Sequence, residues 1–310
     1  MISEKNGRVV KGLGGLFEVR IEDSGSVSRL ACRAKGILKR DEEKVLIGDL
    51  VKVEIDDELP DGIVISEVLP RKNSLIRPPL ANLDLLFIVF SVAKPMPVLE
   101  TIDKLISIAE HNGIEPVAVI TKSDIADARE IADIYRAVGI DVFITSSDGG
   151  DGVAELSEYI SKKVSGGKCA AFAGASGVGK STLMNALFPN LSLATSEISR
   201  KIERGRHTTR HVEIFDIEAV EGTGFLTDTP GFSLIDFARF DFFTLEELLP
   251  TFREFLPYLG KCRYADCAHV GERAEECAVA AAAEEGIIPK SRLESYRSIW
   301  SVLKNKNQYK

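Results

Sequence analysis

GASGVGKS at residues 174–181 decides the fold of this 310-residue chain. It follows the apolar stretch AAFAG (170–174) and leads into STLMNALF (181–188), so a glycine-rich turn joins a predicted strand to a predicted helix. Glycines allow the backbone amides of such a turn to close around phosphate oxygens. The motif predicts a phosphate-binding loop in an α/β domain, formed by Gly174, Ala175, Ser176, Gly177, Val178, Gly179, Lys180, Ser181 and Thr182.

The end of this loop and a second motif predict how the phosphates are held. Lys180 would bind the β- and γ-phosphates, and the Ser181 hydroxyl would bind Mg²⁺. DTPG (228–231) follows the apolar residues Phe225 and Leu226, so that Asp228 would hold Mg²⁺ and the Gly231 amide would approach the γ-phosphate. Short Asp-x-x-Gly turns are common in proteins, so DTPG indicates a nucleotide site only because a phosphate loop precedes it.

TKSD (121–124) predicts recognition of a guanine base. It ends the predicted strand PVAVI (116–120). Asp124 would accept hydrogen bonds from the ring N–H and exocyclic amine of guanine, which adenine does not offer, and the Lys122 stem would pack on the base. Thr121 stands where such motifs begin with Asn, while Ser123 completes the turn. Ser146 ends the next strand, where a backbone amide would face the guanine oxygen. The alternative for TKSD is an ordinary polar turn after a strand.

The order of these motifs is the unusual feature. A conventional GTPase places its base-reading motif after the phosphate loop and the Asp-x-x-Gly turn, whereas TKSD precedes both here. The order therefore predicts a circularly permuted GTPase domain, in which the loops meet in space although the chain is joined elsewhere.

Hydrophobic patterning divides the chain into three predicted domains. Residues 1–70 contain short strand-like stretches at 9–21, 29–34 and 49–56, which favour an all-β barrel of the OB type or another small Greek key. Residues 71–84 have the composition of a linker. Strands and helices then alternate, which predicts a doubly wound α/β domain over 71–240. Residues 241–310 are predicted to form a helical domain.

The segment before DTPG carries the candidate catalytic residue. GRHTTR (205–210) lies where the first switch loop is expected, so Thr208 or Thr209 would complete the Mg²⁺ shell and sense the γ-phosphate. Phe232 follows Gly231 and cannot orient water as the Gln of Ras-type enzymes does. His207 is therefore the candidate for positioning the attacking water, and its alternative is a solvated loop histidine.

Arg200, Lys201, Arg204, Arg206 and Arg210 make the same segment strongly basic, with Glu203 as its one acid. In a chain of net charge −8, this indicates a phosphate-rich macromolecular partner. The alternative is a solvated charged face.

CRYADCAHVGERAEEC (262–277) predicts a structural zinc site. Cys262, Cys267, His269 and Cys277 supply three thiolates and one imidazole, the donor set of a closed tetrahedral site. The alternative is a group of reduced, buried cysteines.

Composition indicates the class of protein, its location and the state of its cysteines. Hydrophobic residues make up 45% and charged residues 28%, as in a soluble globular protein. No apolar run approaches the ~20 residues that span a bilayer, and the first residues lack an apolar signal core. We expect a cytoplasmic monomer without membrane association, whose five cysteines are reduced or bind metal.

Taken together, these motifs resemble the RsgA family, also called YjeQ or YloQ. The resemblance rests on GGLFEV (14–19), IGD (47–49), IRPPLANLD (76–84), TKSD, GASGVGKS, GRHTTR, DTPGF and the cysteine–histidine cluster, and it covers nearly the whole chain. It implies an N-terminal OB-fold, a central permuted GTPase domain and a C-terminal zinc domain. It also implies GTP hydrolysis stimulated by the small (30S) ribosomal subunit, contact with its rRNA and a role in late subunit maturation. His207 falls on the family's proposed catalytic histidine.

Two departures from the family pattern accompany the resemblance. Thr121 replaces the commoner Asn, and seven residues separate His269 from Cys277 where the family has five. A nucleotide-gated RNA-binding module with negligible catalysis is the first alternative function. An ATPase or small-molecule kinase is the second, and TKSD and the flanking domains disfavour it.

Overall fold

The protein is described by a computed structural model over residues 2–23, 25–36, 44–56, 62–146, 150–189, 212–229, 237 and 239–307. Its strands are β1 (Ile2–Leu13), β2 (Leu16–Asp23), β3 (Ser26–Ala34), β4 (Leu50–Asp56), β5 (Ile63–Val68), β6 (Ser74–Ile76), β7 (Pro79–Ala81), β8 (Leu85–Ser91), β9 (Glu115–Thr121), β10 (Asp141–Ile144), β11 (Cys169–Ala173), β12 (Ile214–Glu218) and β13 (Thr223–Asp228). Its α-helices are α1 (Leu99–His111), α2 (Arg129–Ala137), α3 (Val153–Lys163), α4 (Lys180–Leu187), α5 (Ala278–Glu284) and α6 (Lys290–Asn307).

The N-terminal strands close into a barrel in the order β1-β2-β3-β5-β4. β1 pairs antiparallel with both β2 and β4, which closes the sheet, and β3 runs parallel to β5. The predicted stretch 9–21 is two strands rather than one, because Gly14 and Gly15 have positive φ and form a tight hairpin turn. Alternate side chains fill the interior: Val9, Val19, Ile21, Val51, Val53 and Ile65. The predicted OB-type barrel is confirmed.

Residues 71–84 are more ordered than the predicted linker. β6 and β7 pair as a short hairpin, and its Leu75 and Leu80 are buried. The Asn82 side chain accepts from the Lys72 amide and donates to the Gly48 carbonyl, which ties this hairpin to the barrel. Proline and polar residues predicted a linker, but this segment is an ordered hairpin because two leucines are buried and Asn82 bonds it to the barrel.

The central domain is built on a six-stranded sheet in the order β10-β9-β8-β11-β13-β12. β9 and β10 are parallel, as are β11 and β13, while β12 runs antiparallel to β13. β8 and β11 are buried along their whole length, as apolar strands covered on both faces should be. The predicted α/β domain is confirmed.

The C-terminal segment folds against α1. Two 3₁₀ helices, Leu249–Thr251 and Arg253–Tyr258, precede α5 and α6. Phe252, Phe255 and Tyr296 form an aromatic cluster with ring centroids 5.1–5.3 Å apart, in which Tyr296 meets both Phe rings edge-to-face. Arg292 of α6 is buried and pairs with Asp103 of α1.

The chain divides into two compact units. One comprises Met1–Leu85, Glu158–Phe172 and Ser199–Phe232; the other comprises Leu86–Ser157, Ala173–Ile198 and Ser233–Lys310. Among the described residues, no helix has both the length and the apolar character needed to cross a bilayer.

Candidate functional site

The phosphate loop runs from the end of β11 to the start of α4, as its sequence predicts. Gly177 and Gly179 have φ of +82° and +94°, in the region that favours glycine. A Cβ on Gly174 would overlap the carbonyl oxygen of Val89 at the end of β8. The N-cap of α4 is Gly179, and the N-terminus of a helix stabilises an anion through its amides and its dipole.

TKSD is bound directly to this loop. The Thr121 hydroxyl donates to the Val178 carbonyl at 2.5 Å, and the Lys122 ammonium donates to the Gly177 carbonyl at 2.9 Å. Lys122 also donates to the carbonyl of Lys94 and has a φ of +63°. Two motifs that stand in the reverse of the usual order therefore meet in space, and Thr121, which replaces the usual Asn, bonds the phosphate loop through its hydroxyl.

The turn that carries Asp124 is fixed by the following strand. Ser146 is buried, and its hydroxyl donates to the Asp124 carboxylate at 2.9 Å. The Ser146 amide donates to the Asp151 carbonyl, and the Ser123 amide donates to the Thr145 carbonyl. Ser146 thus orients Asp124 through its side chain, whereas the sequence suggested a role for its backbone.

Asp228 ends β13 in register with Phe172 of β11, two residues before Gly174. The Thr229 hydroxyl donates to the Phe172 carbonyl at 2.6 Å, so DTPG begins beside the strand that leads into the phosphate loop. The other predicted residues of this region lie outside the described part of the chain: His207, Thr208, Thr209, Gly231, Phe232 and the basic stretch Arg200–Arg210.

The predicted zinc ligands converge. One donor atom from each of Cys262, Cys267, His269 and Cys277 lies within 4.8 Å of all the others. His269 Nδ1 is 3.6, 3.5 and 3.3 Å from the sulfurs of Cys262, Cys267 and Cys277. Zn–S bonds of about 2.3 Å and Zn–N bonds of about 2.0–2.1 Å at tetrahedral angles place sulfur and nitrogen about 3.6 Å apart. The donors therefore fit a zinc ion.

The surroundings of the cluster suit a metal as well. Burial raises the pKa of Cys267 to about 12, and the adjacent thiols add to the rise; a bound metal cation would favour the thiolate form of this ligand. Burial also lowers the pKa of His269, which favours the neutral, ligating ring. Cys277 is the N-cap of α5, and its sulfur accepts from the Ala280 amide. With seven residues between them, His269 and Cys277 still place their donor atoms within 4.8 Å of the other two ligands.

Two contacts at the candidate nucleotide site are not among the sequence predictions. The Lys94 carbonyl holds Lys122, and nothing in the letters around Lys94 indicates it, because the contact is made by backbone. The Ser146 hydroxyl had a visible signal, since a Ser at the end of the strand after TKSD stands beside the base-reading turn.

Comparison with known proteins agrees with this architecture. A family model described as RsgA GTPase matches residues 68–238, and one described as RsgA N-terminal domain matches residues 6–64. The protein named Small ribosomal subunit biogenesis GTPase RsgA from Caldanaerobacter subterraneus subsp. tengcongensis is 39% identical over 305 residues, which is 97% of either chain. The protein of the same name from Bacillus subtilis is 34% identical over 97% of this chain and 98% of its own.

Solved structures give the same result. YjeQ from Thermotoga maritima has a TM-score of 0.75 and 34% identity, covering 97% of this chain and 99% of its own. YloQ, described as a circularly permuted GTPase, has a TM-score of 0.75 and 31% identity over 98% of this chain and 96% of its own. With the permuted motifs joined in one site and both family models matched, the chain belongs to the RsgA family of circularly permuted GTPases.

Proposed function

We propose that this protein is a GTPase stimulated by the small (30S) ribosomal subunit, acting in the late maturation of that subunit. The observation that carries the proposal is the contact of Thr121 and Lys122 with the phosphate loop, which joins base-reading and phosphate-binding elements in one site. The relatives' names, Small ribosomal subunit biogenesis GTPase RsgA, support the substrate and the partner. GTP is bound and hydrolysed to GDP and phosphate, and hydrolysis releases the protein from the subunit.

Guanine is read by Asp124, which the Ser146 hydroxyl orients. A carboxylate accepts two hydrogen bonds from the Watson–Crick edge of guanine and repels the acceptor at the same position of adenine. The Lys122 stem lies along the base while its ammonium remains bonded to the Gly177 carbonyl. Thr121 keeps Val178, and with it the phosphate loop, at a fixed distance from the base-reading turn.

The phosphates are held by residues 174–182, with Lys180 on the β- and γ-phosphates. Ser181, Asp228 and a threonine of the first switch, Thr208 or Thr209, would hold Mg²⁺. When bound, Mg²⁺ would neutralise the negative charge that develops on the phosphates. The Gly231 amide would contact the γ-phosphate.

Hydrolysis requires a residue that orients water, and Phe232 occupies the position of the usual Gln. We assign this role to His207, whose ring has both a donor and an acceptor nitrogen. It lies in the basic stretch Arg200–Arg210, which would contact rRNA phosphates. A histidine placed by rRNA contact would explain why the subunit stimulates the reaction.

The C-terminal cluster would hold one structural Zn²⁺, because four protein donors leave no open coordination position for catalysis. The N-terminal barrel would supply a second rRNA contact, as OB-folds bind oligonucleotides. Both modules fit a monomer that acts in the cytoplasm on the ribosomal subunit.

The direct test measures GTP hydrolysis against small-subunit concentration, with ATP as the control nucleotide. We expect the GTP rate to rise by at least an order of magnitude and saturate as the subunit is added, while ATP hydrolysis stays at background. Equal hydrolysis of the two nucleotides, without a response to the subunit, would overturn the proposal.

The second candidate is a nucleotide-gated RNA-binding module with negligible catalysis, which the replacement of Gln by Phe232 favours. Single-turnover hydrolysis on the subunit by wild type and His207→Ala separates the two. Our assignment predicts a rate lower by about 10²- to 10⁴-fold in the variant, the usual contribution of a positioned acid–base group. Equal rates would remove His207 from the chemistry.

A further inference from the structure

Strand β12 follows one predicted switch segment in the chain and pairs with β13, which precedes the other. It begins just after residues 190–211, which contain the first switch, and it pairs antiparallel with β13, which ends at Asp228. The Thr227 hydroxyl donates to the Glu213 carbonyl, so the residue before Asp228 is bonded to the residue before β12. Displacing β12 would therefore act on Thr227 and, through it, on Asp228 at the end of β13.

Three basic residues of the barrel form ion pairs with acidic residues at and just before β12. We call this group the β12 clamp, and it consists of Lys11, Arg20, Arg29, Glu213 and Asp216. Arg20 Nε donates to Asp216 at 2.5 Å, and Lys11 donates to Glu213 at 2.8 Å. Arg29 lies 3.8 Å from Glu213 and 3.7 Å from Asp216. A backbone bridge between Lys11 and Glu213 adds a main-chain contact.

The barrel also contacts β13. The guanidinium groups of Arg8 and Arg20 lie 4.4 and 5.1 Å from the ring centroid of Phe225, three residues before Asp228. Arg8 further donates to the Gly167 carbonyl, just before β11. One barrel face thus holds both strands that flank the predicted switches.

Arg20 is central to the clamp and inaccessible to a macromolecular partner. Its side chain is 6% exposed, and it joins Asp216 to Glu22. A charge so far desolvated is held in one geometry, because separating it from Asp216 would leave it buried and partly unpaired. A change at Arg20 therefore acts on rRNA binding only through the strands that Arg20 contacts.

We infer that Arg20 is a positioning residue that transmits contact between the barrel and rRNA to β12 and β13, and so to the GTP site. The inference rests on the proposed function and assigns its regulation to the barrel. Coupling of this kind is reciprocal: if GTP favours one arrangement of β12, GTP and the subunit must strengthen each other's binding by the same factor.

The test measures the affinity of the full chain for the small subunit with a non-hydrolysable GTP analogue and with GDP. The ratio of the two dissociation constants is the coupling factor, and typical couplings are about 5- to 150-fold. The variants are Arg20→Met and the milder Asp216→Asn, which keeps its shape and remains informative if the first variant does not fold. Lys5→Met is the control, because Lys5 pairs at 2.7 Å with Asp23 of the same barrel, on its exposed surface and apart from the clamp residues.

We expect Arg20→Met to bring the ratio from at least about fivefold to about one, and Asp216→Asn to lower it in the same direction. Both would retain wild-type affinity in the GDP state, while Lys5→Met would keep the wild-type ratio. Unchanged ratios in both clamp variants would overturn the inference. A wild-type chain that does not bind the subunit in either state would instead reject the proposed function.

Discussion

The buried triad of Asp103, Glu254 and Arg292 gives the sharpest stability prediction. Arg292 donates to Asp103 at 2.7 Å and to both oxygens of Glu254 at 2.7 and 3.3 Å. The three side chains are 1%, 6% and 1% exposed in chain order. Arg292→Met preserves the aliphatic stem but leaves two buried carboxylates facing each other without a cation. Removing one partner of such a pair costs about 3–5 kcal/mol, so we expect that loss in the free energy of unfolding.

Urea unfolding followed by Trp300 fluorescence measures this loss, because Trp300 is the single tryptophan and lies on α6 with Arg292. Arg129→Met is the matched control: Arg129 is 81% exposed in its pair with Asp127, and its loss should leave the urea midpoint unchanged. Adding Asp103→Asn to Arg292→Met should recover part of the stability. A loss below about 1 kcal/mol in Arg292→Met would refute the reasoning.

The stability that Arg292→Met loses should also depend on pH, in a direction set by the pKa of Asp103. Burial raises the pKa of Asp103, and Arg292 opposes that rise. Without Arg292 the pKa of Asp103 rises further, so the folded variant favours the protonated carboxyl. A raised folded-state pKa contributes stability at low pH that is lost as the pH rises through it. The deficit of Arg292→Met relative to wild type should therefore be smaller at pH 5 than at pH 8.

Three further predictions concern the two sites. Thr121→Val removes the hydroxyl bound to the Val178 carbonyl and should weaken GTP binding about tenfold, near the value of one buried hydrogen bond. Thr121→Asn should bind GTP as wild type does. Equal affinity for all three proteins would mean that GTP binding does not need the bond from residue 121 to Val178. Gly174→Ala places a Cβ against the Val89 carbonyl and should abolish GTP binding without unfolding the chain, and retained binding would contradict the loop geometry. Purified protein should contain one zinc per chain by elemental analysis, and Cys277→Ser should lose the metal and unfold its C-terminal segment at lower temperature; wild-type protein with no zinc would contradict the site.

The sequence predicted the fold where local signals agree with tertiary packing. The apolar run at 85–91 became the buried strand β8, and the glycine-rich turn at 174–181 became the loop before α4. It was misleading where composition and packing disagree. The proline-rich stretch 71–84 holds a buried hairpin, because Leu75 and Leu80 pack inward and Asn82 supplies the bonds that a linker would leave to water.

The sequence predicts the residues of the candidate sites but not their contacts. Motif chemistry singles out TKSD, the phosphate loop and the candidate zinc ligands, since each needs particular side chains at particular spacings. The bonds from Thr121 to Val178 and from Ser146 to Asp124 depend on how β9, β10 and the loop are placed, which no local pattern records. The β12 clamp could not be predicted from the sequence either, because Arg20 and Asp216 are 196 residues apart in the chain.

The central claim is that the permuted motifs form one guanine-reading site, and its most direct test exchanges the base. Xanthine has a carbonyl where guanine has its exocyclic amine, so it suits an amide donor rather than a carboxylate. We predict that wild type binds GTP more tightly than XTP and that Asp124→Asn reverses the order, each by at least about tenfold, as expected for a hydrogen bond to a charged group. An unchanged preference for GTP in Asp124→Asn would contradict the account, because the base would then be read elsewhere.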